Sequence, residues 1–283
     1  MRIVHNISAM WANTALGKTG RTQQKSLEKL STGLRVNRAS DDAAGLSVSE
    51  NLRAQVRGLH QAGKNALDGI NALQIAEGAM NTIAAMLQRM RELSVQGASD
   101  LYNLNQRAFL DQEVHALLDE IDRIALSVQF NGQSLLDGTG FGGASNSSSI
   151  IQIGANNTTV DRLQVNIDTM SILDLGLADG LGASIQLIDQ PSTIAAMASL
   201  DVAIDSVNQA RSDLGTFINR LENAIDVLHN NETNMAQAES TIRDVDMAEE
   251  MMEFTKNQIL TQAGTAMLAQ ANLVPQTVLA LFQ

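Results

Sequence analysis

Eleven positions in the first half of the chain, Leu52, Val56, Leu59, Gly63, Ala66, Ile70, Leu73, Glu77, Met80, Ala84 and Leu87, are spaced by four and three in alternation. A seven-residue repeat of this length is the seam of a coiled-coil-like helix, and it leaves few folds open: one stripe must be covered along its whole length. The helix is expected to start near Ser40, where Ser40-Asp41-Asp42 offers a cap and two negative charges at the positive end of the helix dipole. It should end around Gly97. At about 1.5 Å per residue it would be on the order of 80 Å long, a rod rather than part of a globule.

Two further runs can cover it. Leu110, Val114, Leu117, Ile121, Ile124 and Val128 keep the same spacing. A third run, beginning after Pro191 with Ser192 as N-cap, reads Met197, Leu200, Ile204, Val207, Arg211, Leu214, Ile218, Leu221, Ile225, Leu228, Glu232, Met235, Glu239 and Ile242. Three long helices with matching seams form a bundle. Between the second and third, Gly, Ser and Asn dominate Asn131–Ser149 and read as turns. Ile150–Gly154 and Asp161–Ile167 then alternate polar with β-branched residues, two short strands joined near Asn156-Asn157. The expected fold is mainly α: a long antiparallel coiled-coil-like helical rod, a small β-hairpin region at about 136–190, and a terminal helix pair.

The terminal pair comes from both ends. Ile3, Ile7 and Met10 form a stripe that Leu27, Leu30 and Leu34 later join. At the other end, Thr261–Gln283 carries no charge. Val245, Ala248, Met252, Ile259, Ala263 and Ala266 make one stripe there, while Met251, Phe254, Leu260, Met267 and Leu268 fall off it. A helix apolar on every side must be buried against something. The N-terminal helix covers one side only, so the rest should face other copies of the chain. Charge supports contact between the ends: residues 1–60 hold nine basic against four acidic side chains, and 201–283 hold twelve acidic against four basic. Two separately solvated faces would show the same count.

Catalytic chemistry finds little footing. There is no cysteine, hence neither a disulfide nor a thiolate metal site. His5, His60, His115 and His229 lack ligand spacing, and none precedes a glutamate in a zinc-binding pattern. Gly138-Thr139-Gly140-Phe141-Gly142-Gly143 satisfies a dinucleotide fingerprint in letters, but the required flanking strand and helix are missing. The acidic clusters at Asp41-Asp42, Asp119/Asp122 and Glu249-Glu250 fit helix starts and solvated faces better than a metal. No cofactor and no enzymatic activity are expected. The net charge of −12 argues against nucleic acid. The N-terminus lacks the features of a secretory signal, and no window is apolar enough to span a membrane.

Leu27–Leu59, the stretch "LQRMRELSVQGAS" (Leu87–Ser99), "DEIDRIALSVQFNG" (Asp119–Gly132) and Ser240–Gln283 resemble bacterial flagellin. The likeness spans roughly 1–137 and 192–283, leaving about 55 residues where many members of that family carry large outer domains. It implies a structural subunit that polymerises into the flagellar filament for motility. Residues 1–34 with 245–283 would form the inner tube, 35–45 a connector, and 46–244 the rod domain. Ile3, Ile7, Met10, Met251, Phe254, Ile259, Met267, Leu268 and Leu273 would carry polymerisation. The resemblance also implies type III export without a signal peptide, a chaperone on the C-terminal helix, and contacts with filament cap and hook-junction proteins. The filament would be extracellular, or periplasmic in a spirochaete. Arg89, Leu93 and Glu113 match positions that contact Toll-like receptor 5, although Leu93 equally continues the apolar spacing and Arg89 equally pairs with Glu92. A hook–filament junction protein is the alternative within the same apparatus; a secreted enzyme or binding module would need an outer domain or a catalytic cluster.

If both ends lie together, the first and third long helices run antiparallel and match positions whose numbers add to about 290. Glu77 and Arg211, charged intrusions of opposite sign in their seams, would then meet. Either alone would be costly to bury, unless each side chain reached water separately.

Overall fold

The computed structural model describes residues 6–138, 148–178 and 185–280, with backbone only at 148 and 274–280. In chain order the elements are α1 (Ile7–Thr32), α2 (Ala43–Gly97), α3 (Leu104–Ser127), β1 (Gln129–Phe130), β2 (Gln133–Ser134), β3 (Ser148–Gln152), β4 (Arg162–Asn166), α4 (Gln190–Arg243) and α5 (Met247–Ala280). They fall into two compact units, Met1–Val56 with Thr233–Gln283, and Arg57–Glu232. The first is wider than 1–34 with 245–283, for it takes in the connector and the adjoining ends of α2 and α4.

Helix starts obey capping chemistry, with two corrections to the expected caps. Asp42, not Ser40, caps α2: its carboxylate accepts the Gly45 N–H at 2.9 Å. At α4 the Thr193 N–H donates to the Asp189 carbonyl, so the helix begins before Pro191, and Pro191 occupies the first turn where its missing N–H costs nothing. Ser192 instead accepts the Asp189 N–H from inside the helix. Asn103 and Gln106 form a reciprocal capping box on α3.

In the unit Arg57–Glu232, α2 buries Ala62, Ala66, Gly69, Leu73, Ala76, Met80, Ile83, Leu87, Met90, Ser94 and Gly97. This is a strict four-three row, but only Ala66, Leu73, Met80 and Leu87 belong to the row expected above. Leu59, Ile70 and Ala84 of that row are buried as well, whereas Gly63 and Glu77 are half-exposed. The difference is geometric: a helix packed on more than one side buries two neighbouring rows, wider than a two-stranded seam. α4 behaves alike, burying Thr193, Ala196, Leu200, Ala203, Val207, Ala210, Leu214, Leu221 and Leu228.

α2 and α4 run antiparallel in the expected register. A Cβ placed on Gly97 would lie 3.4 Å from Thr193, and one on Gly69 would lie 3.5 Å from Leu221, pairs whose numbers both add to 290. α3 adds Val114, Leu118, Ile121, Ile124 and Ala125 to the same core, with Leu117 only half-buried. Arg107, buried at the start of α3, donates to the Ser99 carbonyl and so ties down the turn from α2.

Both small sheets are two-stranded and antiparallel. β3 and β4 pair in the register Ser149↔Val165 and Ile151↔Leu163, burying alternate residues against the helices. The Asp161 carboxylate gathers their connecting turn by accepting from Asn156 N and Thr158 Oγ1. β1 and β2 were not anticipated. Asn131 and Gly132 between them have φ of 52° and 76°, the left-handed pair of a tight hairpin turn.

Candidate assembly surface

α1 and α5 lie antiparallel in the other unit. Asn6 caps α1 and also donates to the Ala271 carbonyl at 2.8 Å. Thr261 reaches Gln23, and Lys29 pairs with Glu250 at 3.2 Å. A Cβ on Gly264 would come within 3.1 Å of Leu16. These contacts place the α1 row Ala9, Ala12, Leu16, Thr19, Gln23, Ser26, Leu30 level with the α5 row Ala271, Leu268, Gly264, Thr261, Asn257, Phe254, Glu250, each row again spaced by four and three.

The seam is chemically unusual. Among the described residues of α1 and α5, only Ser26 (2% exposed) and Asn257 (5%) are buried. Most of the side chains facing inward are small or polar, with Leu16, Leu30, Phe254 and Leu268 the half-buried large apolar ones among them, while most of the large apolar side chains face out. Trp11 is 74% exposed and Met252 68%; Ile7, Met10, Leu27, Met247, Met251, Ile259, Leu260, Met267 and Leu273 are exposed as well. This inverts the arrangement of a water-soluble helix pair, where the apolar stripe points inward. So large an apolar surface on one pair marks a site of association.

Of the residues expected to carry polymerisation, Ile7, Met10, Met251, Ile259, Met267 and Leu273 stand on this outer surface. Phe254 and Leu268 do not; they are half-buried in the row that meets α1, because four-three spacing from Glu250 passes through both. Ile3 lies outside the described residues. Trp11 also stands on this surface and was not among the expected residues, although the lone tryptophan of the chain beside Met10 on a largely polar helix was a legible sign.

The end of the pair near Gly33 is tied by polar contacts. Leu34 and Asp244 form an antiparallel bridge, the Arg35 N–H donates to the Arg243 carbonyl, and the Val245 N–H donates to the Gly33 carbonyl. Arg38 and Asn37 both donate to Glu28, and Arg243 pairs with Glu50. The Arg38 backbone N–H, with the Lys25 ammonium adding to it, holds the Asp41 carboxyl below its ordinary pKa.

In the unit Arg57–Glu232, Arg89 Nη2 donates to Glu113 at 2.9 Å and Nη1 to Glu92 at 3.2 Å. These carboxylates, Glu113 foremost, raise the guanidinium above its usual pKa. Leu93 is 1% exposed and belongs to the core, so it presents nothing to a partner in the free subunit. Arg211 Nη2 lies 3.8 Å from Glu77 Oε1, with the two side chains 31% and 44% exposed. Both stand on the flank of their helices, outside the buried rows, so the burial cost supposed for a lone charge is met only in part: Arg211 Nε is buried without a hydrogen-bond partner while Nη2 faces Glu77.

Among the described residues no three His, Asp or Glu side chains come together as a metal site, and no helix is long and apolar enough to cross a membrane. Most of the glycine-rich run Gly138–Gly143 lies outside the described residues. A cleft of about 340 Å³ between α2, the β1–β2 hairpin and β3, lined by Asn65, Asp68, Phe130, Gln133 and Gln152 among others, groups no nucleophile with a base.

Residues 3–140 match the bacterial flagellin N-terminal helical region, and residues 197–282 match the bacterial flagellin C-terminal helical region. Flagellin FlaB2 of Treponema pallidum (strain Nichols) is 45% identical, with all of both chains covered. Flagellin of Bacillus subtilis (strain 168) is 44% identical, again across the whole of both chains. Among solved structures, Bacillus cereus flagellin is 29% identical, covering 62% of this chain and 94% of its own, with a TM-score of 0.49.

Proposed function

The chain belongs to the bacterial flagellin family, whose members are structural proteins of the flagellar filament and not enzymes, and from that premise we propose that the α1–α5 pair is the surface through which its copies polymerise. The observation that carries this reading is the sparse seam: mostly small and polar residues between the two helices, with Leu16, Leu30, Phe254 and Leu268 among them, and Trp11, Met252, Ile259 and Met267 turned outward. Ordering two such helices costs roughly 1–2 kcal/mol of backbone entropy per residue, and their own contact recovers little apolar area to offset it. Docking onto a growing end covers the outer faces and supplies the difference. Around a filament axis, repetition of this contact makes the terminal helices the inner tube. The relatives that match along their whole length are named as flagellins, which favours the filament subunit over a hook-junction protein.

The finer partners follow from the same bare surface. Before assembly α5 needs cover, the role of an export chaperone. Export through a type III channel delivers the chain to the filament tip, where cap proteins meet it, and hook-junction proteins meet it at the base. Receptor recognition by Toll-like receptor 5 is proposed for Arg89 and Glu113 alone, the exposed ion pair, and not for the buried Leu93.

Electron microscopy of purified protein after addition of short filament seeds tests the reading. Long filaments are expected from this chain alone. A chain ending at Asp246, which lacks α5, should leave the seeds at their original length; seeds that grow as well from the shortened chain overturn the proposal.

A further inference from the structure

Methionine is distributed differently on the α1–α5 pair and in the unit Arg57–Glu232. Met80, Met86, Met90, Met170 and Met197, the methionines of the unit Arg57–Glu232, are all buried or half-buried. On α1 and α5 the described methionines are Met10, Met247, Met251, Met252 and Met267, and these are 49–68% exposed. Met251 and Met252 line an open groove of about 420 Å³ together with Thr255, Lys256 and Ile259. The chain has no cysteine to compete for an oxidant, so the exposed thioethers are the first targets that a free subunit offers.

We propose that these five methionines are a reversible oxidation site, through which a peroxide renders an unassembled subunit incompetent to join the filament. The inference rests on the assembly reading given above. In the reaction the thioether sulfur attacks one peroxide oxygen, an S–O bond forms, the O–O bond breaks, and the second oxygen leaves as water. Sulfur loses two electrons and the peroxide gains them. The flexible apolar side chain becomes a polar sulfoxide. Burying that oxygen against an apolar neighbour without a donor carries a desolvation cost, repeated at each modified position. The effect has a direction: subunits in transit react, whereas those already placed have the same sulfurs covered and are spared. Methionine sulfoxide reductases, acting on both sulfoxide epimers, reverse it.

The test uses the full-length chain. Hydrogen peroxide is titrated onto purified subunits, peptide mass mapping counts the added oxygens, and elongation from seeds gives the critical concentration. The five positions should oxidise first, with Met80, Met90 and Met170 as unreacted internal standards, and the critical concentration should rise at least about tenfold. Treatment with the two reductases should restore it. Preassembled filaments exposed to the same dose should keep the five unmodified. In the chain carrying Met10→Leu, Met247→Leu, Met251→Leu, Met252→Leu and Met267→Leu, peroxide should no longer inhibit. Should that variant fail to grow, oxidation and repair of the unaltered chain decide the matter. Sulfoxide at all five positions with undiminished growth overturns the switch while leaving the assembly reading intact; failure of untreated subunits to grow on seeds overturns the assembly reading instead.

Discussion

Ile259→Ala separates assembly from folding. The side chain is 60% exposed in the subunit, so the fold obtains less than half of what its burial can provide. Complete burial of an isoleucine is worth about 1.5–3 kcal/mol, which leaves roughly 1–2 kcal/mol to be gained when a neighbour covers the remainder. Alanine keeps one methyl group, and the loss on assembly should be about 1–1.5 kcal/mol per added subunit, a five- to fifteenfold rise in critical concentration. The free subunit should not notice: an exposed helical position changes stability by less than about 0.5 kcal/mol, and alanine is the better helix former. Sedimentation of seeded reactions at a series of concentrations gives the first quantity, and urea unfolding of the subunit gives the second. Leu221→Ala is the converse, since Leu221 is 0% exposed; it should lower subunit stability by about 2–5 kcal/mol. An Ile259→Ala chain that polymerises at the unaltered critical concentration would refute the assignment of this face to assembly.

Three further outcomes are expected. Gly78→Ala and Gly69→Ala both add helix propensity, about 1 kcal/mol each, but a Cβ on Gly78 meets nothing within 4 Å, whereas one on Gly69 would lie 2.6 Å from the Ile151 Cδ1. Gly69→Ala should therefore be the less stable by about 1–3 kcal/mol in urea unfolding, the gap should narrow when Ile151→Val removes that methyl group, and equal stabilities would contradict the packing. A double-mutant cycle between Glu77→Gln and Arg211→Gln should give a coupling of only about 0.2–1 kcal/mol that fades in high salt, since both side chains are partly exposed and the N–O separation is 3.8 Å; zero coupling at low salt would dissolve the pair. The Asp41 carboxyl has a folded pKa below its unfolded value, so the unfolded chain binds the extra proton as pH falls: its stabilisation is fully present above about pH 4 and is lost as pH falls on through the folded pKa. Asp41→Asn should accordingly melt below the unaltered chain at pH 7, with the gap shrinking steadily as the pH is lowered beneath about 4, and a gap that does not shrink on acidification would contradict that cause.

Much of this was legible in the sequence because helical repeats are local. The long seams, their antiparallel register near 290 and the strands at Ile150 and Arg162 all follow from spacing and turn residues. What spacing alone does not reveal is how many partners a helix has. The row through Glu77 and the row through Ala76 are both four-three sequences, and only packing on two sides makes the second the fully buried one. The caps failed for a related reason: Ser40, Asp41 and Asp42 can each cap a helix, and the backbone path of the connector, not residue type, selects Asp42. The hairpin at Asn131-Gly132 was overlooked because Asn-Gly sat inside a longer turn-rich stretch.

The assembly surface was the harder reading, because apolar periodicity ordinarily points toward a core. Counting apolar residues along α5 picks out Met252 and Ile259 as a stripe, and on that rule they should meet α1. They do not. The row that meets α1 contains Asn257, Thr261 and Gly264, flanked by Phe254 and Leu268, opposite Gln23, Thr19 and Leu16. Small and polar side chains let the two helices approach closely while giving up little apolar area, so the outward faces keep theirs for another molecule. The pairing of α2 with α4 buries Leu, Met and Val fully beside its alanines and glycines, and it supports itself. One chain thus contains two antiparallel helix pairings of like spacing and different polarity, and the polarity of the seam separates the contact made within a subunit from the contact made between subunits. Exchanging Asn257 for leucine tests that division: a more apolar internal seam should raise the stability of the free pair without lowering the critical concentration for growth, and a gain in growth instead would mean that α5 presents Asn257, not Ile259, to its neighbours.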